Sequence, residues 1–223
     1  MILLWAAVTL AIAGTCVRVL LWWSIPLRLP IPLSPAPRSR SGVVLRILAE
    51  VFLMRALWRG DRLGWLLSWS FHAALLLVAI GHWPFLTGRS LGWLAGLRVV
   101  GLWPGVVVLL ALAALLGRRL LSPRIRFIST PADYLWLLLF LGATASGLAL
   151  AVEHGEAWRS ALVFLHAWRG FSTSEVPLSG GALLHLIAAV TLLGLFPFSK
   201  LLHAPAVFSS PTLVARDAER RRR

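Results

Sequence analysis

The sequence predicts an all-α integral membrane protein built as a bundle of five transmembrane helices. Of its 223 residues, 59% are hydrophobic and only 13% are charged, and the mean hydropathy is +0.82; soluble domains carry about 25% charged residues. The apolar residues are gathered in five stretches of about 20 residues, the length that an α-helix needs to cross a bilayer. Histidines lie inside two of these stretches, where ionisable side chains are rare and usually functional.

The five apolar stretches are separated by prolines, glycines and arginines. The first has no charged leader region and no small-residue cleavage site, so we expect a transmembrane helix and not a removed signal peptide. The third contains Pro104, and Asp133 precedes the fourth as an acidic residue suited to the first turn of a helix. The predicted spans are residues 1–25, 64–85, 97–116, 134–152 and 181–205.

The segments between the spans divide the chain further. Five prolines between residues 26 and 37 exclude a helix there, whereas arginines among apolar positions over 43–60 predict an amphipathic helix on the cytoplasmic surface. A basic loop is expected over 117–132 and a short helix over 157–169. The predicted parts are a first transmembrane helix (1–25), a cytoplasmic proline-rich linker with its amphipathic helix (26–63), a four-helix core (64–205) and a basic cytoplasmic tail (206–223).

The basic residues predict the orientation of the chain in the cytoplasmic (inner) membrane. Seven arginines lie in 26–63, four in 117–132 and six cations from residue 200 onward, whereas the alternate side carries four arginines. Because cytoplasmic loops are enriched in lysine and arginine, we expect the N-terminus outside and the C-terminus in the cytoplasm. A net charge of +14 would suggest nucleic-acid binding in a soluble protein; here it marks orientation, and no nucleic-acid partner is expected.

Two of the spans carry two histidines each, and each histidine of one span can be paired with a histidine of the other. His185 and His203 are eighteen residues apart in GALLHLIAAVTLLGLFPFSKLLHAP, which is five turns of a continuous helix and places both rings on one face about 27 Å apart. In FHAALLLVAIGHW, His72 and His82 are ten residues apart, which is about 15 Å. The orientation pairs His82 with His185 near the outer surface and His72 with His203 near the cytoplasm. Helix tilt and a kink at Pro197 would absorb the difference in spacing.

Two bis-histidine pairs suit axial ligation of haem, because a flat macrocycle needs only one imidazole on each side. Without a Cys-x-x-Cys-His motif the haem would be b-type. Zinc is a poorer reading, since a structural site needs four close ligands, and the single cysteine, Cys16, excludes a cysteine-ligated iron–sulfur cluster. Three alternatives stay open: histidines that only pack or relay protons, a haem-free membrane anchor for a redox subunit, and a metal or proton transporter.

Several stretches resemble a known family. RRLLSPRIRFISTPADYLWLLLFLGATASGL and LHLIAAVTLLGLFPFSKLLHAP resemble the gamma (cytochrome b) subunits of respiratory nitrate reductases. LPIPLSPAPRSRSGVVLRILAEVFLMRALW, WSFHAALLLV, RIRFISTPADYL and FSKLLHAPAVFSSPT are similar to the membrane cytochrome b subunits of Dsr complexes, which accompany dissimilatory sulfite reductase. The resemblance covers residues 27–212, and the proline-rich linker favours the Dsr branch of the family.

The resemblance implies a dihaem cytochrome b that exchanges electrons with the membrane quinone pool. It implies that His72, His82, His185 and His203 are the axial ligands of two haem b groups. It also implies a cytoplasmic iron–sulfur partner similar to heterodisulfide reductase, within a larger membrane complex. The alternative functions are the gamma subunit of a nitrate reductase-type molybdoenzyme that oxidises quinol, and the haem-free anchor.

Further residues are candidates for binding the cofactors. Arginine forks suit carboxylates, so arginines of the 117–132 loop and Lys200 are candidates for the propionates of the inner haem, although positive-inside charge explains them equally well. The candidates are Arg118, Arg119, Arg124 and Lys200, with Arg119 first among them. Glu153, His154, Glu156 and His166 of the outer loop are candidates for the proton acceptor of a quinone site, which lacks the lysine found in nitrate reductase subunits.

Overall fold

The computed structural model describes residues 2–24, 37, 39–87, 98–153, 156–171 and 178–209. These residues form helices and the turns that join them, with no strand among them. Five helices in these ranges are long and apolar enough to cross a membrane, over Ile2–Ser24, Arg62–Trp83, Leu102–Leu121, Pro131–Val152 and Gly180–Phe198. The prediction of an all-α fold with five helices able to cross a membrane is confirmed for the described residues. The orientation of the termini and the division into four parts stay predictions.

The α-helices are numbered in chain order from α1 to α10. Their bounds are α1 Ile2–Ser24, α2 Arg40–Leu53, α3 Arg55–Gly60, α4 Arg62–Thr87, α5 Arg98–Leu121, α6 Pro123–Phe127, α7 Pro131–Glu153, α8 Glu156–Arg169, α9 Gly180–Leu195 and α10 His203–Ala206. Short 3₁₀ turns follow α9 over Phe196–Phe198 and Lys200–Leu202, and a last one spans Val207–Ser209. The predicted spans therefore agree with the observed helices to within a few residues at most ends.

The helix predicted over 43–60 is present as two helices, α2 and α3. Ser39 caps α2 by accepting a 3.0 Å hydrogen bond from the Gly42 amide. Met54 separates α2 from α3 with a left-handed backbone, φ 45° and ψ 48°, and the Glu50 carboxylate accepts a 3.0 Å hydrogen bond from the amide of Ala56. The location of this segment on the membrane surface stays a prediction, and most of the proline-rich linker and the tail beyond residue 209 lie outside the described residues.

The basic loop predicted over 117–132 is largely helical, which corrects its description as a loop. Helix α5 continues to Leu121, so Arg118 and Arg119 lie in its last turn, and α6 follows directly after Ser122. Pro123 starts α6 because the first position of a helix needs no amide donor. The hydropathy pattern ended the third span too early because arginines in a last helical turn are favoured by the helix dipole.

The chain divides into two compact units, and the larger comprises Met1–Trp5 and Leu66–Leu192. Its apolar core lies where α4, α5 and α7 pack together, around the buried side chains of Ala74, Val108 and Leu112. A second cluster joins α7 to α9 through Leu150 and Ala182. These contacts fix α4, α7 and α9 as neighbours within the unit, which sets the positions of His72, His82 and His185.

The smaller unit comprises Ala6–Trp65 and Leu193–Arg223. Here α9 ends at Leu195 and a 3₁₀ turn follows over Phe196–Phe198, because Pro197 has no amide proton to continue the helix. Ser199 is extended, with φ −111° and ψ 166°, and its hydroxyl donates to the Phe196 carbonyl over 2.7 Å and accepts from the Leu201 amide over 3.1 Å. The expectation of one continuous helix from His185 to His203, with both rings on one face, is therefore wrong.

Candidate functional site

The two histidines of α4 each form the same kind of local hydrogen bond. Nδ1 of His72 lies 2.7 Å from the carbonyl oxygen of Ser68, and Nδ1 of His82 lies 2.7 Å from the carbonyl oxygen of Val78. Each carbonyl belongs to the residue one turn earlier, and a carbonyl oxygen can only accept. Nδ1 therefore carries the proton and donates it, and Nε2 carries the lone pair.

His203 and His185 follow the same rule with different partners. Nδ1 of His203 lies 2.9 Å from the carbonyl oxygen of Lys200. Nδ1 of His185 lies 3.0 Å from the carbonyl oxygen of Ala143, which belongs to α7 and not to its own helix. All four candidate ligands thus direct Nδ1–H to a backbone carbonyl, which is the arrangement that fixes the tautomer and ring orientation of a metal-ligating histidine.

His82 and His185 lie together in the larger unit. Their ring centroids are 6.3 Å apart, and the ring planes are inclined by 24°. Van der Waals contact between ring carbons needs about 3.5–4.0 Å, so the rings do not touch face to face. The structure brings together the pair that the sequence predicted for the outer side.

The centroid separation of the two rings equals the one expected for two imidazoles whose Nε2 atoms face a single metal ion. The centre of a five-membered ring with bonds of about 1.33 Å lies about 1.1 Å from each atom, and a metal–imidazole bond is about 2.0–2.1 Å. Two imidazoles on opposite sides of one ion therefore have centroids about 6.2–6.4 Å apart by these lengths. Among the described residues no three His, Cys, Asp or Glu side chains cluster.

Helix α7 contacts and orients the ring of His185. Besides the Ala143 carbonyl, the buried hydroxyl of Ser146 lies 3.2 Å from Nδ1 of His185 and donates to the Gly142 carbonyl over 2.8 Å. A Cβ atom on Gly147 would lie 2.9 Å from Cε1 of His185. Only glycine leaves room for the imidazole at this position, so α7 positions the ring both by hydrogen bonding and by shape.

The sequence interpretation did not include these α7 residues. The available signal was the run of small side chains over 142–147, GATASG, in an otherwise large and apolar helix. Small residues in membrane helices mark close approach of a neighbouring helix, and their hydroxyls form interhelical hydrogen bonds. That run predicts a close contact on α7 but does not name His185 as the group that fills it.

His72 lies in the larger unit and His203 in the smaller one. The His72 ring is half-buried and lies edge-on to Phe71, with centroids 5.0 Å apart; Phe71 in turn packs against Phe140 of α7. His203 is exposed at the start of α10. Their pairing as inner ligands stays a prediction.

A cavity of about 260 Å³ adjoins His203 in the smaller unit. Its walls come from the end of α1 and from the chain after the Pro197 break. Two cationic side chains, Arg18 and Lys200, line it together with Trp22, Ser199 and His203. Lys200, a predicted cofactor-binding residue, therefore lies in the same cavity as His203, a predicted ligand. Arg18 also lines this cavity, although the sequence predicted no binding role for it.

The predicted cofactor-binding arginines lie in two environments. Arg119 is half-buried, and its Nη1 donates a 2.7 Å hydrogen bond to Ser129 Oγ, which itself donates to the Ile125 carbonyl. Arg118 is half-buried beside it, whereas Arg124 on α6 is exposed. Arg119 thus ties the segment after α6 to the end of α5.

Of the outer-loop candidates for a quinone site, the structure describes the side chain of His166 alone. Its Nδ1 accepts a 2.8 Å hydrogen bond from Nη2 of Arg169, one turn later on α8. Glu153 and Glu156 lie at helix ends, and their side chains are outside the described part of the structure. His154 is also outside it.

Residues 57–218 match the model of the nitrate reductase gamma subunit family. This chain belongs to that family. The match contains the four histidines and the candidate residues Arg118, Arg119, Arg124 and Lys200, whereas α1 and the whole of α2 precede it.

Individual relatives agree with the family assignment. The chain is 28% identical to a protein named Hdr-like menaquinol oxidoreductase cytochrome b-like subunit from Archaeoglobus profundus, over 95% of this chain and 77% of the relative. It is 32% identical to the protein of the same name from Archaeoglobus fulgidus, over 75% of this chain and 58% of that relative. It is 33% identical to the respiratory nitrate reductase 1 gamma chain of Escherichia coli, over 60% of this chain and 67% of that one.

Proposed function

We propose that this gamma-family chain is the dihaem b-type cytochrome subunit of a membrane complex. In this role it passes electrons across the cytoplasmic membrane between the quinone pool and a cytoplasmic iron–sulfur partner. His82 and His185 are the ligands of the outer haem, and His72 and His203 are those of the inner haem. The N-terminus lies outside and the C-terminus in the cytoplasm, as the distribution of arginines supports.

The observation that carries the proposal is the geometry of His82 and His185. Their centroids are 6.3 Å apart at an angle of 24°, and both rings donate from Nδ1 to a backbone carbonyl. This spacing, with Nδ1 of each ring bonded to the backbone, supports the assignment of two ligands to one ion.

The residues around the pair hold it ready for a ligand. Bound haem iron would supply one-electron chemistry, and two histidine ligands leave no open position for a substrate. The Ala143 carbonyl and Ser146 hold the His185 ring in one tautomer.

Cationic residues at the cytoplasmic end would bind the carboxylates of the inner haem. Arg118 and Arg119 lie in the last turn of α5, Arg124 lies on α6, and Lys200 begins the 3₁₀ turn that leads to His203. Guanidinium and ammonium groups form charge-assisted hydrogen bonds with carboxylates. Residues 64–205 then form the dihaem core, and the linker over 26–63 and the tail over 206–223 are the cytoplasmic segments available to a partner.

The relatives support the choice of quinone and partner. Two of them are named Hdr-like menaquinol oxidoreductase subunits, which favours menaquinol as the quinone and an iron–sulfur partner resembling heterodisulfide reductase, as in Dsr-type complexes. A single cysteine means that this chain carries no cysteine-ligated cluster of its own. The Escherichia coli relative favours a second possibility, a molybdoenzyme partner of the nitrate reductase type.

Haem stoichiometry of the purified chain tests the proposal. Wild type should contain two b haems per chain by pyridine haemochrome, His82→Ala and His185→Ala should lose the same haem, and His72→Ala should lose the other. A folded, membrane-inserted wild-type chain without haem would overturn the proposal and favour a haem-free anchor.

A further inference from the structure

Helix α1 packs directly on the Pro197 break in the smaller unit. Pro197 is almost completely buried, and a Cβ atom on Gly14 of α1 would lie 2.7 Å from both Cβ and Cγ of Pro197. Any side chain at residue 14 would force the two segments apart. The contact therefore depends on glycine and sets how closely α1 approaches the turn that leads to His203.

The same face of α1 continues into the cavity beside His203. Gly14, Arg18 and Trp22 are spaced by four residues, so they lie along one stripe of the helix. Arg18 and Trp22 line the cavity opposite Ser199, Lys200 and His203. Glycine thus brings the helix close, and the next two turns present a cation and an aromatic ring to the ligand histidine.

The lining selects for one chemical class. Two cations and a serine favour an anion with several oxygen acceptors, because guanidinium and ammonium groups bind carboxylates and phosphates. Trp22, Pro197 and Leu202 supply an apolar wall. At about 260 Å³ the cavity is smaller than the pockets of about 300–1,000 Å³ that enclose whole ligands, which suits the charged edge of a larger apolar molecule.

We propose that Arg18 of α1, together with Lys200, binds the propionate carboxylates of the haem that His203 ligates, and that Gly14 positions α1 for this contact. The inference rests on the proposed function. It assigns a binding role to a helix that lies before the family match at residues 57–218. The cytochrome site would then be completed by α1 and would not belong to the family core alone.

The test compares Arg18→Gln with wild type by potentiometric titration of both haems in the purified complex. A cation near the iron favours the reduced state, which carries one positive charge less, so its removal favours oxidation. We expect the reduced-to-oxidised ratio of one haem to fall about three- to tenfold at a given potential, a decrease of about 30–60 mV. The affected haem should be the one absent from His203→Ala, and the other should keep its potential.

Matched variants separate charge at this site from general effects. Arg18→Lys retains the cation and should keep most of the wild-type potential, and Arg59→Gln removes an exposed arginine of α3 and should change neither haem. If Arg18→Gln does not accumulate, Lys200→Gln provides the same measurement from the other wall. Loss of the His203 haem alone in either glutamine variant, with retention in Arg18→Lys, also supports the proposal.

Three results would overturn it, and they are distinguishable. Unchanged potentials of both haems in Arg18→Gln and Lys200→Gln would show that these cations do not bind the propionates, and the proposed cytochrome function would still stand. Reduced co-purification of an anionic phospholipid in Arg18→Gln, measured by mass spectrometry with unchanged potentials, would assign the cavity to a lipid phosphate. A wild-type chain without haem would reject the proposed function itself.

Discussion

A 3.0 Å hydrogen bond joins Nδ1 of His185 to the carbonyl oxygen of Ala143, forty-two residues earlier in the chain. It is the interhelical counterpart of the one-turn bonds made by His72 and His82. The tautomer of His185 therefore depends on the packing of α9 against α7, so substitutions on α7 should act on a proposed ligand that lies on another helix.

Gly147→Ala should displace the His185 ring, because the new Cβ would lie 2.9 Å from Cε1. We expect loss or altered absorption of the outer haem, with the inner haem unchanged, in reduced-minus-oxidised spectra. The matched control is Gly142→Ala on the same helix, where a Cβ would meet nothing within 4 Å. That control should retain both haems and gain about 0.5–1 kcal/mol of stability, as alanine does over glycine within a helix. Equal spectra for the two variants would contradict the close contact of α7 with the His185 ring.

Ser146→Ala should weaken the orientation of His185 without removing its main hydrogen bond. Ser146 Oγ lies 3.2 Å from Nδ1 of His185, and one hydrogen bond contributes about 0.5–1.5 kcal/mol, so retention of the outer haem should fall about two- to tenfold. Haem loss to excess apomyoglobin measures this change. Thr144→Ala is the control, since its hydroxyl bonds to the Phe140 carbonyl of its own helix. An equal effect in both variants would attribute the loss to α7 as a whole.

Arg119→Gln should reveal whether this arginine has one role or two. Its 2.7 Å hydrogen bond to Ser129 Oγ stabilises the turn after α6, and its loss should cost about 1.5–3 kcal/mol as for a hydrogen bond to a charged group. Ser129→Ala should lower the thermal midpoint similarly. If Arg119 also binds a propionate, Arg119→Gln alone should lower the potential of the inner haem. Identical potentials in the two variants would limit Arg119 to its structural role.

Reporter fusions at the C-terminus should identify a cytoplasmic location. We expect a fluorescent C-terminal green fluorescent protein fusion and an inactive alkaline phosphatase fusion, because the arginines of the connecting segments are concentrated on that side. A fusion after residue 90 should behave in the opposite way. Active phosphatase at the C-terminus would reverse the assignment of outer and inner haems while leaving the histidine pairs unchanged.

The sequence predicted the helices better than their junctions. Hydropathy located all five spans because a helix that crosses the bilayer needs an apolar stretch of nearly fixed length. Hydropathy did not predict the end of α9 at Leu195, because the mean hydropathy over many residues does not change at Pro197. It also did not predict that α5 continues through Arg118 in its last turn.

The site was predicted in part for a similar reason. Histidines are conspicuous in an apolar span, so His82 and His185 were found and paired from spacing and orientation. Ser146 and Gly147 were not found, because their importance lies in which helix they face, and hydropathy carries no information about helix neighbours. No binding role was predicted for Arg18, and it is the position of Arg18 four residues after Gly14, in the cavity beside Pro197, that indicates one.

The Ser199 turn has a consequence for how this chain tolerates changes in length. In a continuous helix, one inserted residue would rotate everything beyond it by about 100° and redirect the final ligand. Here the hydroxyl of Ser199 satisfies the Phe196 carbonyl and the Leu201 amide, so the chain leaves and re-enters helical geometry without stranding polar groups in lipid. His185 and His203 consequently do not share a helical register. An insertion or deletion between residues 195 and 203 would therefore change the position of His203 without the fixed rotation that a continuous helix would impose.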